Sequence, residues 1–156
     1  MKKILIVDNN LMIQVKQRLE NSGYEVISAS DGITGLHRVN NENPDLIILD
    51  LSFSRMDGYQ VCSILKRDMR FQNIPIIILS DRSNEDIAGG FGSAENKPEF
   101  YFRKPFNYED FLAKINELIV LSEKKKKELH KRLSDEDARW MKHYIPGIGI
   151  EKYERA

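Results

Sequence analysis

Three uninterrupted apolar tetrads, Ile4-Leu5-Ile6-Val7, Leu46-Ile47-Ile48-Leu49 and Ile76-Ile77-Ile78-Leu79, constrain this chain more than any other feature. A strand with one wet face alternates apolar and polar residues. A strand without alternation must be covered on both faces, as in a parallel sheet held between two layers of helices. The intervening segments supply those helices. Leu11, Val15 and Leu19 recur at i, i+4 and i+8, with Asn9 or Asn10 placed to cap the start and Gly23 where a helix C-cap belongs. Val26-Ile27-Ser28-Ala29 reads as a second strand, Asp31-Gly32 as a turn, and Ile33, Leu36 and Val39 as a second helix that ends before Pro44. Val61, Cys62 and Leu65 mark a third helix. Residues 84–90 suit a short helix in a loop punctuated by Gly89, Gly90, Gly92 and Pro98. Phe100-Tyr101-Phe102 forms a short fifth strand, and Phe111, Ile115, Leu118 and Ile119 define a last helix. Strands alternating with helices imply right-handed crossovers onto one parallel sheet.

The size and balance of the chain fit that architecture. Its 156 residues suit one domain with room for an appendage. A domain of this size buries roughly 70% of its unfolded surface and needs no disulfide or structural metal. Cys62, the single cysteine, can form neither an internal disulfide nor a zinc site, and its apolar helical setting marks it as a small core side chain. The formal net charge is zero, which leaves no footprint for nucleic acid or a membrane surface. The apolar run after Met1-Lys2-Lys3 is too short for a signal peptide or a membrane span, so a cytoplasmic location is expected.

In an open parallel sheet, ligands bind beyond the carboxyl ends of the strands. Four polar groups fall there: Asp8-Asn9 after the first strand, Asp50 after the third, Ser80 after the fourth and Lys104 after the fifth. Each has an ordinary structural explanation alone, such as helix capping for Asp8 and Asn9. Together they place carboxylates, a hydroxyl and an ammonium along one edge of one sheet. A carboxylate can act as a nucleophile toward phosphorus. Neighbouring acids repel an anionic donor unless a hard divalent cation lies between them, and Mg2+ suits oxygen ligands and bridges carboxylate to phosphate. A lysine and a hydroxyl supply donors to the remaining phosphoryl oxygens. Asp50 ends a central strand and is the best nucleophile candidate.

These residues resemble a known family. Lys3-Ile4-Leu5-Ile6-Val7-Asp8, Gly23-Tyr24-Glu25-Val26, Ala29-Ser30-Asp31-Gly32, Pro44 to Asp50, Met56-Asp57-Gly58-Tyr59, Ile74 to Ser80 and Lys104-Pro105-Phe106 are similar, in order and spacing, to bacterial response-regulator receivers over residues 2 to 121. The resemblance implies a flavodoxin-like, doubly wound α/β fold with a five-stranded parallel sheet in the order 2-1-3-4-5. It implies Asp50 as phosphoacceptor, and Asp8, Asn9, Asp50 and the Ser52 carbonyl as Mg2+ ligands. Ser80 falls on the switch hydroxyl and Lys104 on the phosphoryl-contacting lysine, before a Pro105 whose peptide bond is usually cis in such domains. Tyr101 falls on the aromatic switch, with simple packing of a strand aromatic as the alternative. The implied function is a two-component signalling switch, not an enzyme beyond its own phosphorylation and dephosphorylation. A sensor histidine kinase or phosphotransfer protein would donate the phosphoryl group, and a downstream protein or a second copy of the chain would receive the signal.

The chain departs from the family pattern at four places. Asn9 replaces the second acid, Asp81 replaces a small residue after the switch hydroxyl, and Phe53-Ser54 stands where Met-Pro is common. Residues 92–99 replace a Gly-Ala-Asp-Asp stretch. These departures keep a second reading in play, a phosphorylation-independent interaction module on the same fold. A dehalogenase-like hydrolase would need a second acid two residues after Asp50, where this chain has Ser52. No phosphate-binding or dinucleotide-binding glycine motif is present.

Composition divides the chain at Ser122. Residues 1–121, the expected receiver domain, hold 14 Lys+Arg against 17 Asp+Glu, and residues 122–156 hold 10 against 7. Lys124 to Lys127 read as a solvated extension of the last helix, with a basic patch for an acidic partner as the sharper alternative. Ser134-Asp135-Glu136-Asp137 is a helix-start signal ahead of Ala138, Trp140, Met141 and Tyr144, and Pro146-Gly147 would end that helix. This basic helical tail is too short for the DNA-binding domains usually fused to receivers. Its apolar groups are expected to bury on the face made by the helix at 84–90, the fifth strand and the last helix, in the same chain or a dimer mate.

Overall fold

The computed structural model describes residues 1–8, 13–51, 55–82 and 96–132, without the side chains of residues 55–57 and 130. The elements follow the order β1 (Lys3–Val7), α1 (Ile13–Asn21), β2 (Glu25–Ala29), α2 (Gly32–Glu42), β3 (Leu46–Asp50), α3 (Arg55–Arg67), β4 (Ile76–Ser80), β5 (Phe100–Arg103) and α4 (Tyr108–Arg132). All strand pairings are parallel and the sheet order is β2-β1-β3-β4-β5. This is the doubly wound α/β fold expected from the tetrads. The helix expected at 84–90 and the tail beyond Arg132 lie outside the described residues. Among the described residues, no helix is long and apolar enough to cross a membrane.

The pleat explains why the tetrads do not alternate. Leu5, Val7, Ile47, Leu49, Ile76 and Ile78 face one side of the sheet, where they pack with Val39 of α2 and Val61, Cys62 and Leu65 of α3. Ile4, Ile6, Leu46, Ile48, Ile77 and Leu79 face the other, against Leu19 of α1 and Phe111, Ile115 and Ile119 of α4. Each strand thus spends its odd and even residues on two separate cores, so no position can be polar until the strand ends. Phe111 anchors the second core: it is fully buried, edge-on to Phe102 at 5.3 Å between centroids and tilted against Phe106 at 4.8 Å.

Local signals set the helix ends. Gly23 closes the α1 turn at φ +97°, a conformation that L side chains rarely adopt. Asp31-Gly32 is not a free turn. Asp31 is the N-cap of α2, its carboxylate accepting the Thr34 N–H at 2.8 Å, and Gly32 is the first helical residue. Ile33 sits on the outer face and is exposed; Gly32, Gly35 and Val39 are the buried positions of α2. In α3, Gly58 allows close approach to β3's successor, since a Cβ there would come within 1.9 Å of the buried Leu51 side chain. The compositional change at Ser122 is not a helix boundary: α4 runs without a break to Arg132 and carries Lys124 to Lys127, as a solvated extension would.

The segment before β5 is pinned by α3. Lys66 is nearly buried; its ammonium donates to the carbonyls of Gln72 and Ile74, both at 3.1 Å, and pairs with Glu99. The Glu99 carboxylate in turn accepts the Ile76 N–H at 2.6 Å. Cys62 Sγ donates to the Asn96 carbonyl at 3.3 Å and Arg67 Nε to the Asn96 side chain at 3.3 Å. Burial pushes the Cys62 thiol up to about 12, so it is an inert core group, as its setting in the sequence suggested.

Phe111→Ala should destabilise the domain by about 3–5 kcal/mol, read as a lower urea midpoint at unchanged slope. The Asp31 cap generates a second expectation. Hydrogen bonds from the Thr34 N–H, and then the Thr34 hydroxyl, hold the Asp31 carboxyl below the usual carboxylate range. A depressed folded-state pKa contributes stability above the unfolded value, near ~4, that is lost as pH falls through the folded one. Asparagine caps equally well without titrating. Asp31→Asn should therefore leave stability at neutral pH nearly unchanged and flatten its fall below about pH 4, measured by urea midpoints across that range.

Candidate functional site

Every polar group singled out at a strand end, where described, lies along one edge of the sheet. Asp8 follows β1 and Asp50 closes β3, its neighbour; Val7 pairs in register with Leu49. Ser80 closes β4 and Lys104 follows β5, where the Lys104 N–H donates to the Ser80 carbonyl at 2.8 Å. The Lys104–Pro105 bond is cis, as the family resemblance implied. Asn9 and Ser52 lie outside the described residues.

The central contact is an ion pair. Lys104 Nζ lies 2.5 Å from Asp50 Oδ2, across the end of β4. The Asp50 side chain is only 3% exposed, while Lys104 keeps 23%. A carboxylate this deep is costly to desolvate alone, and the ammonium offsets that cost while remaining in reach of solvent. Asp8, beside it, has a different arrangement. Its Oδ2 is buried and makes no hydrogen bond among the described residues. A buried carboxylate oxygen without a donor, next to a second carboxylate, is a fit for a hard cation, whose charge would satisfy both. Among the described residues no group of three or more His, Cys, Asp or Glu gathers, and the two carboxylates that meet at this edge are Asp8 and Asp50. That donor set suits Mg2+, which keeps several of its waters.

Ser80 is buried, and its hydroxyl oxygen accepts the Arg82 N–H at 3.1 Å. Tyr101 lies on the same face of the sheet: it pairs with Ile78 in register, and Ser80 is two residues on. Its ring packs on the core shared with Cys62 and α3, its hydroxyl oxygen is buried, and burial, with Cys62 and Tyr59 adding, raises its pKa. Asp81 is exposed at the mouth of the site.

The structure adds groups that strand-end reasoning did not reach. A surface cleft of about 490 Å³ opens beside Lys104, lined by Val15 and Arg18 of α1, Asp81, Phe106 and Tyr108. Arg18 stacks its guanidinium 3.7 Å from the centre of the Tyr108 ring. These two residues are 90 positions apart, and no local pattern pairs them. The aromatic cluster at 100–111 was the available signal, since it exceeds what one short strand needs.

Comparison with known proteins agrees with this geometry. The family model of the response regulator receiver domain matches residues 4–116. The chain is 38% identical over 122 residues to the DNA-binding dual master transcriptional regulator RpaA of Synechocystis sp., covering 76% of this chain and 49% of that protein. It is 30% identical over 118 residues to Protein PilG of Pseudomonas aeruginosa, covering 72% and 84%. Among solved structures, a CheY-like response regulator receiver domain protein from Methanospirillum hungatei superposes with a TM-score of 0.70 at 30% identity, covering 80% of this chain and 98% of the other. The chemotaxis response regulator CheY4 of Vibrio cholerae gives 0.66 at 26% identity, covering 76% and 98%. The chain spans about half the length of several curated relatives it matches. With its sheet order, its strand-end acids and lysine, and a family match across most of its length, the chain belongs to the response-regulator receiver family.

Proposed function

We propose that the chain is a phosphorylation switch in which Asp50 accepts a phosphoryl group from a phosphohistidine on a sensor histidine kinase or phosphotransfer protein. The observation that carries this reading is the buried Asp50 carboxylate held by Lys104 beside Asp8, whose buried oxygen has no donor. An Asp50 oxygen attacks phosphorus in line, the P–N bond to the donor imidazole breaks, and the imidazole nitrogen keeps the electron pair. Lys104, already at Asp50, exchanges part of its contact with the carboxylate for a phosphoryl oxygen. Asp8, Asn9, Asp50 and the Ser52 carbonyl would hold Mg2+, which supplies positive charge between the carboxylates and the phosphoryl oxygens. The cleft lined by Val15, Arg18, Phe106 and Tyr108 gives a donor protein an apolar and cationic surface next to Lys104. Such chemistry belongs in the cytoplasm, where kinases of this class hold their phosphohistidine. Residues 1–121 form the receiver unit and 122–156 its basic tail in this reading.

The switch follows from the same contacts. An aspartyl phosphate presents three acceptor oxygens, and Ser80 would leave the Arg82 N–H to donate to one of them. Tyr101, on the same face, would then turn into the space released and change the surface read by a downstream protein or a second copy of the chain.

Incubation with Mg2+ and a small acyl-phosphate donor should add one phosphoryl group by intact mass, and Asp50→Asn should abolish it. No gain in mass, even with a phosphorylated kinase, would replace this reading with the phosphorylation-independent module. Lys104→Ala should slow the gain roughly 10- to 100-fold, the loss of one charge-assisted hydrogen bond worth about 1.5–3 kcal/mol. Ser80→Ala should still be phosphorylated yet lose the phosphorylation-dependent gain in partner binding; normal binding by phosphorylated Ser80→Ala would break the proposed coupling.

A further inference from the structure

The last helix continues where the sheet stops. Lys2 pairs with Glu123, and Ser122 Oγ donates to the Asn73 carbonyl at 3.4 Å. Residues 122 and 123 are therefore level with the N-terminal edge of the sheet. From Lys124, α4 runs on to Arg132, about 13 Å further. Its core-facing stripe, Phe111, Ile115 and Ile119, continues in helical register through Ser122 and Lys126 to Leu129. Beyond Ser122 that stripe has no sheet beneath it. A hollow of about 250 Å³ lies there, lined by Leu129 with Asn73, Ser122 and the charged Lys125, Lys126, Glu128 and Arg132, three cations against one acid. Leu129 is 40% exposed although it falls on the apolar stripe. Residues 122–132 carry six Lys+Arg against two Glu, so the hollow is apolar at its floor and cationic at its rim.

We propose that this hollow is the docking site of the chain's own C-terminal segment, residues 134–150, and not the fifth-strand face that composition first suggested. Three observations choose the occupant. Arg132, the last described residue, lines the hollow, and 24 residues follow it, so the tether is short and the local concentration of the segment high. Asp135, Glu136 and Asp137 begin three residues after Arg132 and complement Lys131 and Arg132 at the end of α4. The segment then carries Trp140, Met141 and Tyr144 at the spacing of one helical face. A helix started at Ser134 and returning antiparallel to α4 brings Trp140, about 9 Å from its start, level with Lys126 and one turn from Leu129, both of which line the hollow. Its acids stay near the turn, facing the cationic rim. A second copy could offer the same groups, but without the tether.

Trp140 is the chain's single tryptophan, so its fluorescence reads the proposal directly. Emission of the full chain should be blue-shifted from that of the urea-unfolded chain and shielded from acrylamide, equally at low and high protein concentration. Leu129→Asp, at a solvent-accessible position, should move emission to the unfolded value and raise quenching several-fold while far-UV circular dichroism of the domain is retained. The double reversal Lys131→Glu, Arg132→Glu should do the same, and Asp135→Lys with Glu136→Lys should restore shielding in that background. Solvent-exposed emission in the unaltered chain, or a blue shift indifferent to Leu129→Asp, would overturn the proposal. A blue shift lost on dilution would assign the hollow to a second copy and overturn it equally.

Discussion

A parallel sheet covered on both faces leaves a chain one place for polar chemistry. Odd and even residues of β1, β3 and β4 are each committed to a core, and the first polar side chain comes at the carboxyl end of each strand. Parallel order puts all those ends at one edge, and the order β2-β1-β3-β4-β5 sets β3 in the middle. Asp50 is central for that reason alone. Its burial follows too, because β1 and β4 flank it on either side. A carboxylate so placed needs a cation, and Lys104 reaches it only because β5 ends two strands away and points its following residue back across Ser80. The ion pair is thus a consequence of sheet topology, and the site's chemistry is a consequence of the pair.

The face of the sheet opposite Phe111 carries a second chain of dependence. Ser80, Ile78 and Tyr101 share that face with Cys62 and Tyr59, so a displacement of Ser80 meets Tyr101 through one intervening side chain. The backbone that enters β5 cannot follow easily. Asn96 and Glu99 are fixed to Cys62, Lys66 and Arg67, and breaking the nearly buried Lys66 contacts would strand a cation among three acceptors. The Ser80 side chain is held by one hydrogen bond, from the Arg82 N–H, whereas Glu99 pairs with Lys66 of α3 and exchanges hydrogen bonds with Ile76 of β4. The softer end of this stretch is therefore at Ser80, beside Asp50. In the proposed switch, side-chain rotation of Tyr101 is the cheap response and a shift of its strand the expensive one.

How much of this was legible in the sequence depended on whether the signal was local. The tetrads announced β1, β3 and β4, and their lack of alternation announced the parallel sheet. Asp8, Asp50, Ser80 and Lys104 were legible because topology alone carries them to one edge. Asp31-Gly32 was misread as a turn, since an N-cap and its first helical glycine have turn composition; only the Thr34 N–H bond separates the two. The continuation of the last helix past the charge change at Ser122 was legible in Lys124 to Lys127, because lysine is as good a helix former as the residues before it. The Lys66–Glu99 anchor and the Arg18–Tyr108 stack join residues 33 and 90 positions apart, and single-chain periodicity contains no term for such pairs. Asn9 and Ser52 stand where the family resemblance puts metal ligands, but outside the described residues.

The charges around Asp50 give Asn9 a physical meaning in the proposed reading. Asp8, Asp50 and Lys104 sum to one negative charge, which repels a phosphoryl donor. A bound divalent cation would turn that into one positive charge. A second acid at position 9 would bind the cation more tightly, yet return the loaded site to neutrality. Asn9 gives the opposite balance: weaker hold on the metal, stronger attraction for the anion once the metal is there. Asp81, exposed at the mouth, puts a negative charge back where solvent screens it and where a donor must pass. Its field is weak at the buried carboxylate and felt mainly on approach. Arg18, which lines the same cleft, offsets it with one cation. The departures from the family pattern therefore redistribute charge between the floor of the site and its rim, and leave the Asp50–Lys104 pair intact.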